Sequence, residues 1–345
     1  MIGIKDIAAA LGVSASTVSR ALNDSKSISK ERRLAIQEYA RKHHYVPNES
    51  AMQLQQKKET ESKIVAVILP QFTHHYFSCI LTAAQENLTK NGYYMLAFQT
   101  NDNYEDEVRA LEQLKKIKLA GVIMSMAKNT RDYHHIEDLV DSSIPFVFVD
   151  RICTGVDTNR IVVDDYMSAY IATEHLIRTG CKDIAFLGSP MNLEISKNRY
   201  NGYRDAMLSY RLSPRENVIC DNPKEAERIT PLLMTTDKRP DGFFCVNDET
   251  AIGVLYSCKH LGFKVPDDVS ICGYSNSIRS VCCDPPLTTV EQRGHEVGKE
   301  AVQVILDELQ GLFKKGIHNK RIVKTELVVR GTTRKDYVIE KVNPL

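Results

Sequence analysis

The segment "GVSASTVSRALN" (12–23) places four hydroxyls, Ser14, Ser16, Thr17 and Ser19, within six positions and follows them with Arg20 and Asn23. Val13, Val18, Ala21 and Leu22 recur among them at near-helical spacing, which predicts a helix with one apolar edge. With Val18 and Leu22 turned inward, Ala15, Ser16 and Ser19 face outward, flanked by Thr17 and Arg20. Such a face suits a major groove. Small side chains let the backbone approach base edges, hydroxyls donate to phosphate, and a guanidinium forks onto guanine or phosphate. A solvated, serine-rich helix would read the same way on these residues alone.

A second polar set recurs after apolar runs of strand length: "PQFTHHYF" (70–77), "QTND" (99–102), "DR" (150–151), "DN" (221–222), "NDE" (247–249) and "SNS" (275–277). Carboxylate, amide and guanidinium groups of this kind hold hydroxyls, while an aromatic face covers C–H surface, the combination that polyols require. There is no Trp, so Phe72, Tyr76 and Phe77 are the stacking candidates. Three His-His pairs (43–44, 74–75, 134–135) invite a metal reading, but adjacent residues on a helix point apart and the pairs lack ligand spacing. No Walker A loop, G-x-G-x-x-G or G-x-S-x-G elbow occurs. Neither an enzyme, a cofactor nor a metal is expected.

Positioning these groups requires two kinds of architecture. Before residue 46 the pattern gives three short helices: 4–11, stopped at Gly12; a second capped by Ser14 or Ser16 and running to about Asn23; and a third opened by Ser29, with Ile36, Ala40 and His43 at i, i+4, i+7. The short Gly12 turn meets helix-turn-helix geometry. Pro47 and Asn48 then open a segment too short to be helical alone in water.

From residue 63 strand-length runs (63–69, 93–98, 121–125, 145–150, 183–188, 217–220, 242–247, 269–274) alternate with amphipathic stretches (78–90, 105–117, 168–179, 196–210, 248–261, 294–310). That alternation predicts parallel sheets covered by helices, and eight strands over this length favour two sheets. Ligands in such sheets bind beyond the carboxyl ends of the strands, where the polar set lies. Gly294 and Gly298 read as close-packing helix positions.

At 345 residues the chain exceeds one ordinary core. Residues 1–58 carry ten Lys/Arg against five Asp/Glu, whereas the rest carries 35 against 39, so a basic head precedes a mildly acidic body. Nine scattered cysteines, none before Cys79 and none spaced C-x-x-C, predict reduced thiols in a cytoplasmic protein; Cys282–Cys283 reads as inert before redox-sensing. The apolar runs are far short of a membrane span, and Lys5 and Asp6 interrupt any signal peptide.

The stretch "IKDIAAALGVSASTVSRALNDSKSISKERRLAIQEYARKHHYVPNESAMQL" closely resembles the DNA-binding head of the LacI/GalR family of bacterial repressors, departing at His43–His44. "VDR", "HLIRTGCKDIAFLG", "NRYNGYRDAM", "NDETAIGVL", "PPLTTVEQ" and "LVVRGTTR" extend the resemblance through the body to about 334. The resemblance implies a helix-turn-helix head (1–46), a hinge helix and linker (47–60) and a bilobed body (61–345) with the type-I periplasmic-binding-protein fold. Lobe 1 would take about 61–160 plus 291–323, and lobe 2 about 161–290 plus 325–345. The fold class expected is thus an all-α head on an α/β body of two doubly wound parallel-sheet lobes.

The resemblance also assigns roles. Ala15 and Ser16 would choose operator bases, Arg20 would read the half-site, and Thr17, Ser19, Asn23 and Ser29 would grip phosphate. Asn48 would cap the hinge helix and Leu54 would wedge into the minor groove. In the cleft, Arg199 and Asp248 would bind effector hydroxyls, with Tyr76, Phe77, Asp150, Arg151 and Asn222 as further walls beside Phe72 and Ser275. Partners implied are a pseudo-palindromic double-stranded operator, a second copy of the chain and a sugar, sugar acid or sugar phosphate. His74–His75 and Ser275, where relatives often carry Asn-Pro and Asp, lean toward an anionic effector, with a neutral mono- or disaccharide kept open beside it. A purine co-repressor, a sugar-binding protein without a DNA role and an α/β enzyme are the alternatives.

Overall fold

A computed structural model describes residues 2–22, 24–25, 27–43, 45, 62–142, 144–313 and 318–336. Contacts divide the chain into two units, Met1–Glu61 and Ser62–Leu345. Asn23, Asn48, Leu54 and the whole 47–60 segment lie outside the described residues.

The first unit holds α1 (Ile4–Ala10), α2 (Ala15–Leu22) and α3 (Lys30–Lys42). Gly12 takes φ +63°, the left-handed conformation that lets Val13 N–H return to Ala8 O (3.0 Å) and close α1. Ser14 starts α2: its Oγ accepts from Thr17 N–H at 3.2 Å. Ser29 precedes α3 as expected, although its hydroxyl makes no capping bond. Ile7, Ala8, Val18, Ala21, Ile36 and Ala40 form the buried core, and Leu22 is only partly covered beside it. Gln37 Nε2 donates to Ala21 O (3.0 Å) and Asp24 Oδ1 (2.9 Å), fixing the turn after α2.

The second unit contains two six-stranded sheets. Lobe 1 runs β1 (Ile64–Leu69), α4 (His75–Lys90), β2 (Tyr94–Gln99), α5 (Tyr104–Leu114), β3 (Gly121–Met124), α6 (His134–Val140), β4 (Phe146–Val149) and β5 (Asn159–Val163). Lobe 2 runs α7 (Asp165–Arg178), β6 (Ile184–Gly188), α8 (Glu194–Ser209), β7 (Val218–Ile219), α9 (Pro223–Met234), β8 (Gly242–Cys245), α10 (Asp248–His260), β9 (Ser270–Tyr274), α11 (Ile278–Cys282) and β10 (Thr288–Glu291). The chain then returns to lobe 1 for α12 (Gly294–Leu309) and β11 (Lys320–Val323), and to lobe 2 for β12 (Glu326–Val328). Strand orders are β11-β5-β4-β3-β1-β2 and β12-β10-β9-β8-β6-β7. Among the described residues all pairs are parallel except β10–β12, so the two parallel-sheet lobes are as expected and the second sheet carries one antiparallel edge.

Strand β1 shows why "IVAVIL" is apolar throughout. Val65, Val67 and Leu69 pack with α4 and α12, while Ala66 and Ile68 pack with α5 and α6 on the other face. In lobe 2, Phe243 and Cys245 of β8 face α9 and α10, and Phe244 faces α7 and α8. Gly294 and Gly298 sit where α12 crosses α4: a Cβ at Gly294 would lie 2.7 Å from Tyr76 O, and one at Gly298 3.0 Å from Ala83 Cβ. Six of the nine cysteines are buried and all nine are free thiols. No helix among the described residues is long and apolar enough to cross a membrane.

Candidate functional site

In the first unit, α2 presents Ala15, Ser16 and Arg20 as exposed side chains, with Thr17 and Ser19 half-buried beside them and Ser29 exposed at the start of α3. Ser14 Oγ lies 2.8 Å from both the Ser16 and Thr17 hydroxyls, which gathers three hydroxyls at the N-terminal end of α2. Arg20 Nε donates to Ser16 O at 3.2 Å, laying the guanidinium back along the helix. The outward surface is therefore hydroxylated, shallow and tipped with one cation, a form that admits close approach of an anionic backbone. Burial of Val18 and Ala21 on the opposite edge fixes which side faces out.

The second unit encloses a cavity of about 350 Å³ between the carboxyl ends of its two sheets. Of the residues expected there, Tyr76, Phe77, Asp150, Arg151, Arg199, Asn222 and Ser275 line it; Phe72 and Asp248 do not. Phe72 packs against the lobe 1 core, its N–H donating to Gln99 Oε1 at 2.7 Å. Asp248 is fully buried: Oδ2 accepts from Ser277 N–H (2.6 Å) and Oδ1 from the Thr289 hydroxyl (2.5 Å). Both carboxylate oxygens are thus engaged in joining α10 to α11 and β10, and the cap of α10 is Asn247, which accepts from Thr250 N–H. Asn222 also caps a helix, accepting from Glu225 N–H at 3.1 Å, while remaining in the wall.

Arg199 is the most constrained wall residue. It leaves α8 buried, its Nε donating to Asp165 Oδ1 (2.7 Å) and Nη1 to Val246 O (3.0 Å), with the guanidinium carbon 3.8 Å from the Tyr274 ring centroid. Tyr274 Oη also donates to Asp165 Oδ1 at 3.2 Å, so one carboxylate orients both groups. Burial pushes the Asp165 carboxyl up to about 6 against the opposing pull of Arg199. Asp150 has a left-handed backbone (φ +61°), and burial raises its carboxyl above the usual range; its nearest cation is Arg151 Nε at 3.9 Å. The buried Tyr76 hydroxyl has no hydrogen-bond partner, and burial raises it well above its ordinary range. A carboxylate whose cation stands back at 3.9 Å and an unpartnered hydroxyl in one wall suit a ligand that both donates and accepts.

The other wall charges come in pairs. Arg151 meets Asp102, Lys128 Nζ lies 3.3 Å from Asp221, and His74 Nε2 lies 3.5 Å from Glu249. Asp102, Asp221 and Glu249 belong to the strand-end segments visible in the sequence. Lys128 was missed, although it follows the third apolar run, 121–125, as directly as the others follow theirs. Gln292 follows β10, a strand the apolar pattern did not reveal. No cluster of three metal-ligating side chains occurs among the described residues.

Residues 3–48 match the model of the bacterial regulatory proteins of the lacI family, and residues 173–333 match the periplasmic binding protein-like domain. The chain is 30% identical to the HTH-type transcriptional repressor PurR of Actinobacillus pleuropneumoniae over 313 residues, covering 90% of this chain and 92% of that repressor. It is 28% identical to the ribose operon repressor of Bacillus subtilis over 342 residues, covering 97% and 100%. Among solved structures, the lac repressor dimer bound to operator and the anti-inducer ONPF superposes with a TM-score of 0.82 at 24% identity, covering 97% of this chain and 99% of that one.

Proposed function

The chain belongs to the lacI family of bacterial regulatory proteins, and from that premise we propose that it is an effector-controlled repressor whose ligand is a small neutral sugar. As a DNA-binding transcriptional regulator it would act as a dimer, because one head buries too little surface for operator-grade affinity and two match a pseudo-palindromic site. Arg20 would read a base, with Ser16 and Ala15 lying close over the groove floor and Thr17, Ser19 and Ser29 on phosphate. Asn23, Asn48 and Leu54 would complete the contact as the resemblance assigns them.

The observation that carries the ligand class is charge pairing in the cavity wall. Among the described wall residues Arg151, Arg199 and Lys128 each already face a carboxylate, which balances their charge and disfavours a phosphate or sugar acid. Asp150, whose ion-pair partner Arg151 stands back at 3.9 Å, and the unpartnered Tyr76 hydroxyl would bind hydroxyls, with Phe77 and Tyr76 against C–H surface. This reading revises the anionic lean taken from His74–His75, since His74 stands opposite Glu249. A purine would stack best between two aromatic faces, but Tyr76 and Phe77 are neighbours on one helix and the lobe 2 wall carries no aromatic ring. Ligand binding would alter the angle between lobes, and a coupling of about 1–3 kcal/mol would change operator occupancy several-fold.

The test is selection of genomic fragments by the purified protein, with a thermal-shift panel of neutral sugars, sugar acids, sugar phosphates and purines. Salt-sensitive, sequence-selective binding is expected, weakened about tenfold or more by Arg20→Ala and modulated by a neutral sugar. Selectivity unaltered in Arg20→Ala, or stabilisation by phosphorylated compounds alone, would overturn the corresponding part.

A further inference from the structure

The segment after β3, residues 126–130, is gripped from two sides. Glu107 is fully buried on α5, and its carboxylate accepts from Ala127 N–H (2.6 Å) and the Thr130 hydroxyl (2.8 Å), with His135 Nε2 also 2.8 Å away. Asp102, beyond β2, accepts from Lys128 N–H at 2.9 Å while holding Arg151. Five groups from three elements therefore converge on two carboxylates, which tie the loop to lobe 1 along one side. From this fixed stem Lys128 makes two connections to lobe 2. Its Nζ lies 3.3 Å from Asp221 Oδ2, after β7, and its carbonyl accepts from Asn192 Nδ2 at 2.8 Å, after β6.

We infer that residues 126–130 form a strap, with Lys128 barring one side of the cavity by joining the lobes through both its side chain and its backbone. The Lys128 side chain is 39% exposed and that of Asp221 12%, which puts the pair at the rim. A rim pair is weak enough to part when a molecule enters, whereas the Glu107 and Asp102 clamps keep its lobe 1 end in place. Lys128 is thus a positioning residue: it sets how readily the lobes separate on that side. The consequence for effector entry rests on the proposed cavity function, but the mechanical claim does not.

The experiment uses full-length protein dialysed free of small molecules, with amide hydrogen exchange as the readout. Asp221→Asn, a change in lobe 2, should raise exchange at 126–130 in lobe 1 by about two- to fivefold, the factor carried by about 0.5–1 kcal/mol. Lys128→Met should do the same at 190–193 and 220–222. The double variant should exchange no faster at either place than the faster single variant, because both cuts sever one link. Asn192→Ala severs the backbone connection and should also loosen 126–130. Effects confined to the mutated lobe, or single effects that add, would overturn the strap. Failure of every sugar to bind would refute the ligand proposal and leave the strap result standing.

Discussion

Replacing Gly294 by alanine tests whether helix packing in lobe 1 sets the shape of the cavity. The new Cβ would lie 2.7 Å from Tyr76 O and 2.9 Å from Tyr76 Cδ2, where ordinary contact begins at 3.4 Å. Either α12 or the start of α4 must therefore yield by about 0.7 Å, the difference between the two distances. Overpacking of this kind costs about 1–3 kcal/mol, and Gly294, as the first residue of α12, gives alanine little of its preference for a helix interior. A loss of that size is expected. A Cβ at Gly298, one turn along, would lie 2.4 Å from Ile80 O, and because Tyr76 lines the cavity and Ile80 does not, Gly298→Ala should destabilise without moving the wall. Urea unfolding followed by circular dichroism measures the first effect, and titration with the sugar that stabilises the wild type measures the second. Gly294→Ala should bind that sugar several-fold more weakly and Gly298→Ala should bind it normally. Equal affinity in both variants, or unchanged stability in Gly294→Ala, would refute the reasoning.

The head offers a sharper contrast. Ile36→Ala should cost about 2–5 kcal/mol in a core of six buried described residues, enough to unfold the head and abolish DNA binding while the body's melting temperature is unchanged; retained trypsin resistance in the head would contradict this. His175, 4% exposed and 2.8 Å from the Thr333 hydroxyl, has its ring lowered to about 4 by burial. The unfolded chain takes up that proton first, so stability should hold above about 6.5 and fall by about 3 kcal/mol as the pH drops toward 4. In His175→Gln the urea midpoint should vary less with pH over that window, and identical slopes would contradict it.

Much of this arrangement was legible in the residues themselves, for reasons of period and punctuation. Gly12 and the Val18 edge set the head's first two helices, and eight apolar runs mark eight of the twelve strands among the described residues. The remaining four, β5, β10, β11 and β12, are three to five residues long, include charged or hydroxyl positions and carry the chain at its crossings between lobes. Those polar positions, and not length, break the apolar run, since β3, β4 and β8 are just as short. Cavity residues were legible wherever they follow a strand, because topology alone sends them to the cleft. Asp248 was not, since its partners Ser277 and Thr289 come from 29 and 41 residues further along. For the same reason the sequence does not show that Arg199 is held by Asp165, 34 residues earlier.

The order in which the chain leaves the ribosome bears on the return of α12 and β11 to lobe 1. That lobe begins at Ile64, yet one face of its sheet has only α4 over it until Val297, Ala301 and Ile305 arrive, and its edge waits for Val323. Lobe 2 in turn waits for β12. The three small helices are complete within the first 42 residues. A nascent chain therefore carries the three-helix unit long before lobe 1 is closed, and a chain broken between residues 43 and 293 would hold the first without the second.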